Sequence, residues 1–178
     1  MFVSDVYTTA PSEFKTILQE KTYRALQELN IPFERVDNEE AITMEDCIQI
    51  NKALNVKVAK TLFLCNRQQT SFYLFITSGD KPFKTKDFSR ALGISRVSFA
   101  PADLLEKMMG TKIGAATVFS ALLDEDNAVQ VVFNKDVICE EWYGCTDGTT
   151  TCYMRVKTDH ILHRFLPYTK HSPIIIEV

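Results

Sequence analysis

The hydrophobic pattern of this chain switches between a helical and a strand period. Between residues 12 and 29, Phe14, Ile17, Leu18, Ala25, Leu26 and Leu29 share one helical face, and Glu13, Lys15, Glu20, Lys21 and Glu28 lie opposite. Ser12 is placed to cap this helix, Asn30 to end it, and Pro32 follows. The preceding residues 1–11 read as an extended arm. A short strand, Phe33–Val36, leads into an acidic turn over 37–40. Thr43 then caps a second helix over 44–54, with Met44, Cys47, Ile48 and Leu54 inward. The period changes at Val58-Ala59-Lys60-Thr61-Leu62-Phe63-Leu64, which reads as a strand over 59–65, and again at Ser71–Thr77. Both runs are apolar, branched and aromatic, and the polar stretch Asn66–Thr70 separates them, as in a β-hairpin.

Past Ser78–Pro82, which breaks the pattern, a short helix starts at Thr85 or Lys86 and stops at Gly93. A brief strand, Arg96–Phe99, precedes a helix from Pro101 to Met109. Residues 110–119 hold two glycines and several small residues, which let a backbone turn tightly and approach a neighbour, and Ser120–Leu123 continue apolar. Ala128–Phe133 and Val137–Tyr143 read as strands about a turn at 134–136, followed by a Thr/Asp/Gly loop, Gly144–Thr150. A strand over Thr151–Val156, a Thr158-capped helix over 159–166 and a closing strand, Ile174–Ile176, complete the chain. Without repeats or linkers, this order predicts one α+β domain over 12–178. Its expected architecture is a mixed, mostly antiparallel, curved sheet surrounded by helices.

Composition narrows the class. Of 178 residues, 46% are hydrophobic and 24% charged, enough apolar material for a sizeable core. The net charge of −3 and a pI near 5.6 oppose wholesale binding to duplex DNA. They leave room for a local basic patch. Lys57, Lys60, Lys81, Lys84, Lys86, Arg90 and Arg96 cluster mid-chain with Phe83 and Phe88 interleaved. Such a pattern suits phosphates with stacked bases, or equally an ordinary solvated helix and turn. Five cysteines without a CxxC pair, and no apolar run that could cross a bilayer or serve as a signal peptide, predict a reduced, cytoplasmic protein with no membrane partner.

Lys60 is the cation that stands out, at the mouth of an apolar strand. It either snorkels to solvent or holds an anionic ligand beside a pocket. His160 and His163 share a helical face, but no third metal ligand is spaced near them, and a solvated face is the simpler reading. Cys145 and Cys152 flank the Thr-rich loop with no histidine beside either, which argues against a nucleophilic thiol. P-loop, GxGxxG, HExxH and GxSxG signatures are absent, so no cofactor and no metal is expected. Lys60, the glycine loop at 110–119 and the loop at 143–150 together supply a cation, backbone N–H groups and small polar side chains. That inventory suits a phosphate and a carbonyl.

Five blocks, in order, resemble the YbaK/prolyl-tRNA-synthetase editing-domain family, in particular its free-standing ProX/PrdX branch. They are Asn30–Val36 with Ala41–Glu45, Lys60–Asn66, Arg96–Ala100, Gly114–Leu122 and Asp147–Thr151. The resemblance implies a trans-editing deacylase that hydrolyses the ester of mischarged tRNA, typically alanyl-tRNA for proline, without a metal. The partners implied are the 3′ aminoacyl end of that tRNA and prolyl-tRNA synthetase. Lys60 and Gly114 would be catalytic, and Ala115, Ala116, Thr117, Tyr143, Asp147 and Thr150 would bind substrate. The chain departs from the family at Tyr143-Gly144, where His-Pro is frequent, and near Asp37-Asn38, where a histidine is common. It departs also at Asp147 for asparagine and at Ala116 for valine. These departures keep open an alternative, an aminoacyl-tRNA or amino-acid binding module that regulates with little turnover.

Overall fold

A computed structural model describes all 178 residues. Eight strands fall into two sheets. The smaller, in the order β1-β7-β6, joins β1 (Phe33–Asp37), β6 (Trp142–Thr146) and β7 (Cys152–Lys157), all antiparallel. The larger, in the order β4-β2-β3-β5-β8, joins β2 (Lys60–Asn66), β3 (Phe72–Thr77), β4 (Val97–Phe99), β5 (Val129–Asn134) and β8 (Ile174–Ile176). Here β2 pairs antiparallel with β3 and β4, while β3–β5 and β5–β8 are parallel. The expected α+β domain with mixed, mostly antiparallel strands is borne out, with its strands divided between two sheets. No helix is long and apolar enough to cross a membrane.

The predicted β2–β3 hairpin forms with Lys60 opposite Thr77 and Cys65 opposite Phe72. The larger sheet is covered on both faces. Phe88 of α3 (Thr85–Leu92) packs with Leu64, Phe75 and Val132, while Leu105 and Met109 of α4 (Ala102–Met109) pack with Phe63, Leu74 and Val129. The main core lies between α1 (Ile17–Glu28), the 3-10 helix Val118–Leu123 and the inner faces of both sheets. It includes Leu26, Phe119, Phe133, Met154 and Phe165.

Several boundaries shift from those predicted. α1 is capped by Thr16, whose hydroxyl accepts from Gln19 N at 3.0 Å, so Ser12 lies outside it and Phe14 and Ile17 are exposed. Residues 44–47 form a turn, and α2 is confined to Ile48–Leu54 with Ile48 exposed. Asp46 makes that turn: its carboxylate accepts from Ile42 N and Thr43 N at 3.0 and 2.9 Å, and these backbone donors hold its pKa below the usual carboxylate range. Val137–Tyr143 is not one strand. Its first residues complete a short helix, α5 (Lys135–Ile138), which packs on β3, and the strand starts only at Trp142. Gly144–Thr146, read as loop, belong to that strand. The last helical segment runs from α6 (Thr158–His160) through a π turn (Ile161–Phe165) into α7 (Leu166–Tyr168), with Thr158 buried inside it rather than capping it. The N-terminal arm is extended as expected and pairs with β1, exchanging both backbone bonds between Tyr7 and Arg35 at 2.8 Å.

The two sheets meet where Val58 bridges Gly144 in parallel and Ala59 N donates to Gly144 O at 2.9 Å. A Cβ on Gly144 would sit 2.8 Å from Val56 Cγ1 and 3.2 Å from Val58 Cα. Only glycine permits this approach. Gly144→Val is therefore expected to lower stability by about 1–3 kcal/mol through forced overpacking, and Gly144→Ala by less. Urea unfolding at constant m-value is the measurement.

Candidate active site

The junction of the sheets opens into a cleft of about 430 Å³. Four segments wall it: Ile42–Met44 from the turn before α2, Val58–Phe63 from the start of β2, Phe99 and Ala100 at the end of β4, and Ile113, Gly114 and Ala116 from the glycine loop. Thr146 and Tyr153, from the smaller sheet, close its back. A larger hollow, about 670 Å³, lies between the arm, the end of α1, Trp142 and Lys157, and contains neither Lys60 nor the glycine loop. Chemistry rather than size singles out the smaller cleft: Lys60 and the glycine loop meet there among apolar walls, whereas the larger hollow offers His160, whose Nδ1 has no partner, without the loop.

Lys60 is half-buried at the mouth, and its Nζ donates to the Lys81 carbonyl at 2.6 Å. It thus neither snorkels freely nor sits unpaired. The acceptor belongs to the turn Ser78–Pro82, which packs against Met44 and Val58 of the cleft wall. Gly79 of that turn packs so closely that a Cβ there would meet Met44 Cε at 2.4 Å and Val58 O at 2.7 Å. Asp80 is held below the usual carboxylate range, first by the Ser78 hydroxyl at 2.6 Å and further by Lys57 and Lys60.

Gly114 has φ +92°, a left-handed conformation, and a Cβ there would lie 2.8 Å from Ile42 Cγ2. Both constraints exclude side chains, so the backbone itself forms the cleft wall. The N–H of Ala115 donates to Lys112 O at 3.0 Å, and the Ala115 side chain is buried behind the wall. Gly114 and Ala116 line the cleft, and their N–H groups have no hydrogen-bond partner within the protein. Thr117 is buried; its hydroxyl donates to Thr146 O at 2.8 Å and accepts from Phe119 N, anchoring the loop to β6.

Of the residues expected to bind substrate, Ala116 lies on the wall, whereas Ala115, Thr117, Tyr143, Asp147 and Thr150 lie behind it. Tyr143 is 1% exposed in the main core, 6.4 Å from the Phe133 ring. Its hydroxyl reaches no hydrogen-bond partner, although Thr61, Cys145 and the Val118 backbone surround it, and burial pushes its pKa well up. Asp147 is fully buried and turns toward α1. Oδ2 accepts from Gln19 Nε2 at 2.9 Å and the Tyr23 hydroxyl at 2.8 Å, and Oδ1 accepts from the Thr149 N–H and hydroxyl at 3.2 and 2.8 Å. Thr150 works through its carbonyl, which accepts from Ala41 N at 2.9 Å and Asn38 Nδ2 at 3.2 Å, fastening the segment that carries Ile42. Burial also pushes the Cys145 and Cys152 thiols upward, so neither is a thiolate nucleophile at neutral pH. Sequence reasoning missed Ile42, Phe99, Ile113 and Tyr153 as wall residues. The first three are apolar yet 48%, 58% and 66% exposed, a signal that needs the fold to be seen.

Residues 38–163 match the aminoacyl-tRNA editing domain family, and the chain belongs to that family. It is similar to the prolyl-tRNA editing protein ProX of Acetoanaerobium sticklandii, 29% identical over 113 residues that span 64% of this chain and 69% of that protein. It is also similar to prolyl-tRNA synthetase associated domain-containing protein 1 of Danio rerio, 26% identical over 169 residues, 94% of this chain and 89% of that protein. A crystal structure described as a candidate trans-editing enzyme for prolyl tRNA synthetase has the same fold, with a TM-score of 0.68 at 15% identity, covering 93% of this chain and 99% of that one.

Asp147 satisfies four buried donors, so Asp147→Ala is expected to cost about 3 kcal/mol by leaving them unpaired. Asp147→Asn, which keeps the shape and one carbonyl acceptor, is expected to cost less. Thermal and urea unfolding of both variants check this order.

Proposed function

We propose that this protein is a trans-editing aminoacyl-tRNA deacylase that hydrolyses the ester of mischarged tRNA, with alanyl-tRNA for proline as its principal substrate. The observation that carries the reading is the convergence in one cleft of the Lys60 ammonium with the unpaired N–H groups of Gly114 and Ala116. An aminoacyl ester presents matching groups: phosphate and ribose oxygens for the cation, and a carbonyl for the amides. Water adds to that carbonyl; the amides hold the developing oxyanion; the C–O bond to the terminal ribose then breaks. The products are the free amino acid and the tRNA hydroxyl. Amides aimed at an oxyanion in a cleft with apolar walls act without reorganising as the charge forms. No metal is needed as the electrophile in this scheme. The walls of Ile42, Met44, Val58 and Tyr153 leave an apolar recess for a small side chain. Size exclusion of that kind gives modest discrimination, so selection of the tRNA would add to it. Lys60 and Gly114 are thus the catalytic residues. Ala116 contacts substrate, while Ala115, Thr117, Tyr143, Asp147 and Thr150 position the wall. The partners would be the 3′ aminoacyl end of tRNA and prolyl-tRNA synthetase, in the cytoplasm where charging takes place.

A second reading, a binding module that senses aminoacyl-tRNA or an amino acid with little turnover, is favoured by one observation. The titratable side chains on the wall besides Lys60 are Cys47 and Tyr153, and burial pushes both pKa values up. Neither is a base for water near neutral pH.

Ester loss from alanyl-tRNA for proline and from several other mischarged tRNAs separates the two. Accelerated loss from the alanyl ester is expected, and a spontaneous rate throughout, with saturable binding, would leave the sensor. Lys60→Ala is expected to lower kcat/KM about 10- to 100-fold, the worth of a hydrogen bond to a charged group. An unchanged rate would remove Lys60 from the mechanism.

A further inference from the structure

Phe99 has no packing reason to stand where it does. It ends a three-residue edge strand and leaves 58% of its surface in water at the mouth of the cleft. Its ring is nonetheless fixed. It packs in a T-shaped pair with Phe83 at 5.6 Å and 69°, and Phe83 in turn packs on Phe75 and Phe88 at 5.9 and 6.2 Å. The strand beneath is held as well, since Phe99 pairs with Leu64 and Ala100 N donates to Phe63 O at 2.9 Å. A rigid aromatic face braced from one side and open on the other is a stacking surface. Ile42 and Ile113, both exposed, border the same mouth and make it a slot with apolar walls.

Cations and carboxylates both lie about the slot: Asp80 is near Lys57 and Lys60, and Asp46 accepts from Ile42 N and Thr43 N. Lys60 lies on the same wall as Phe99. Lys84 directly follows Phe83 and Lys112 directly precedes Ile113; both are exposed, and neither takes part in an ion pair. The polar side chains on the cleft wall besides Lys60 are few: Thr43 is bonded to Asp46, Tyr153 to Ala41 O and Thr146 to Thr149 O, and the Thr61 hydroxyl lies beside Tyr143. A site that stacks a base without reading its edge suits a position where the base never varies.

We propose that Phe99, braced by Phe83, is the platform on which the terminal adenine of tRNA stacks, placing the ester on its ribose against Gly114 and Ala116. This rests on the tRNA reading above. It revises the mid-chain pattern of cations and aromatics: Phe88 is fully buried and Phe83 half-buried, so the base-facing ring is Phe99, outside the interleaved set.

The test uses uncharged tRNA for proline with 2-aminopurine in place of the terminal adenine, whose fluorescence falls on stacking. Wild-type protein is expected to quench it saturably. Phe99→Leu keeps apolar contact with Phe83 but has no π face; it should remove most of the quench and weaken binding about tenfold, and Phe99→Trp should restore both. Equal thermal midpoints show that the fold is intact. Absence of quench with wild type, or the same quench with Phe99→Leu, overturns the platform. With alanyl-tRNA, Phe99→Leu should raise KM about tenfold and change kcat much less, and wild-type kinetics in that variant would also overturn it. If quenching behaves as expected while no charged tRNA is hydrolysed, the deacylase reading falls and the platform stands as part of a binding module.

Discussion

The close approach of Val58 and Ala59 to Gly144 is the contact on which the rest of this structure depends. Through it a strand of the smaller sheet touches the entry to a strand of the larger one, with a single backbone hydrogen bond and no side chain between them. Every wall of the cleft is hung from that seam. The start of β2 belongs to one sheet, Thr146 and Tyr153 to the other, and the glycine loop is tied across by the Thr117 hydroxyl on Thr146 O. Without the seam the two sheets would each remain half-covered layers, and the apolar surface now shared between them would face water.

Behind the cleft, polar groups are matched around Asp147 and the Thr150 carbonyl, while the Tyr143 hydroxyl and Asn38 Oδ1 are buried without partners. Asp147 absorbs Gln19, Tyr23 and Thr149, and the Thr150 carbonyl absorbs Ala41 and Asn38. A buried network that is satisfied rigidifies what it touches, and here it touches α1, the 38–42 segment and the β6–β7 turn. Those bonds fix the backbone behind the wall, while Lys60, bonded to the Lys81 carbonyl, and the glycine loop line the cleft. Tyr143 is buried in the main core and does not line the cleft.

Local pattern was enough for the strands of the hairpin, because Leu62–Leu64 and Phe72–Ile76 are apolar on both faces and only a polar turn lies between. It was enough to single out Lys60, Gly114 and Ala116, which the fold brings to one cleft, since a cation beside an apolar run and a glycine in a tight loop stand out locally. It failed where tertiary contacts decide. Val137, Ile138 and Cys139 read as strand by composition, yet the chain turns there so that Val137 packs into the core. Tyr143 and Asp147 could face either way from a strand end, and only the neighbours Phe133, Gln19 and Tyr23 determine that both face inward. Phe99 illustrates the reverse: composition suggests a core residue, and the edge position leaves it open.

The hydrogen bond from Lys60 to the Lys81 carbonyl bears on how tightly anything binds. A long ammonium side chain that is free in solution loses most of its rotamer freedom when a ligand fixes it. In this protein that freedom is already gone before any ligand arrives, and the ammonium has already exchanged some of its water for a protein oxygen. An ammonium carries three N–H donors and the Lys81 carbonyl takes one, so the other two would meet an anion without that bond breaking, and a side chain already held in place would lose less freedom on binding.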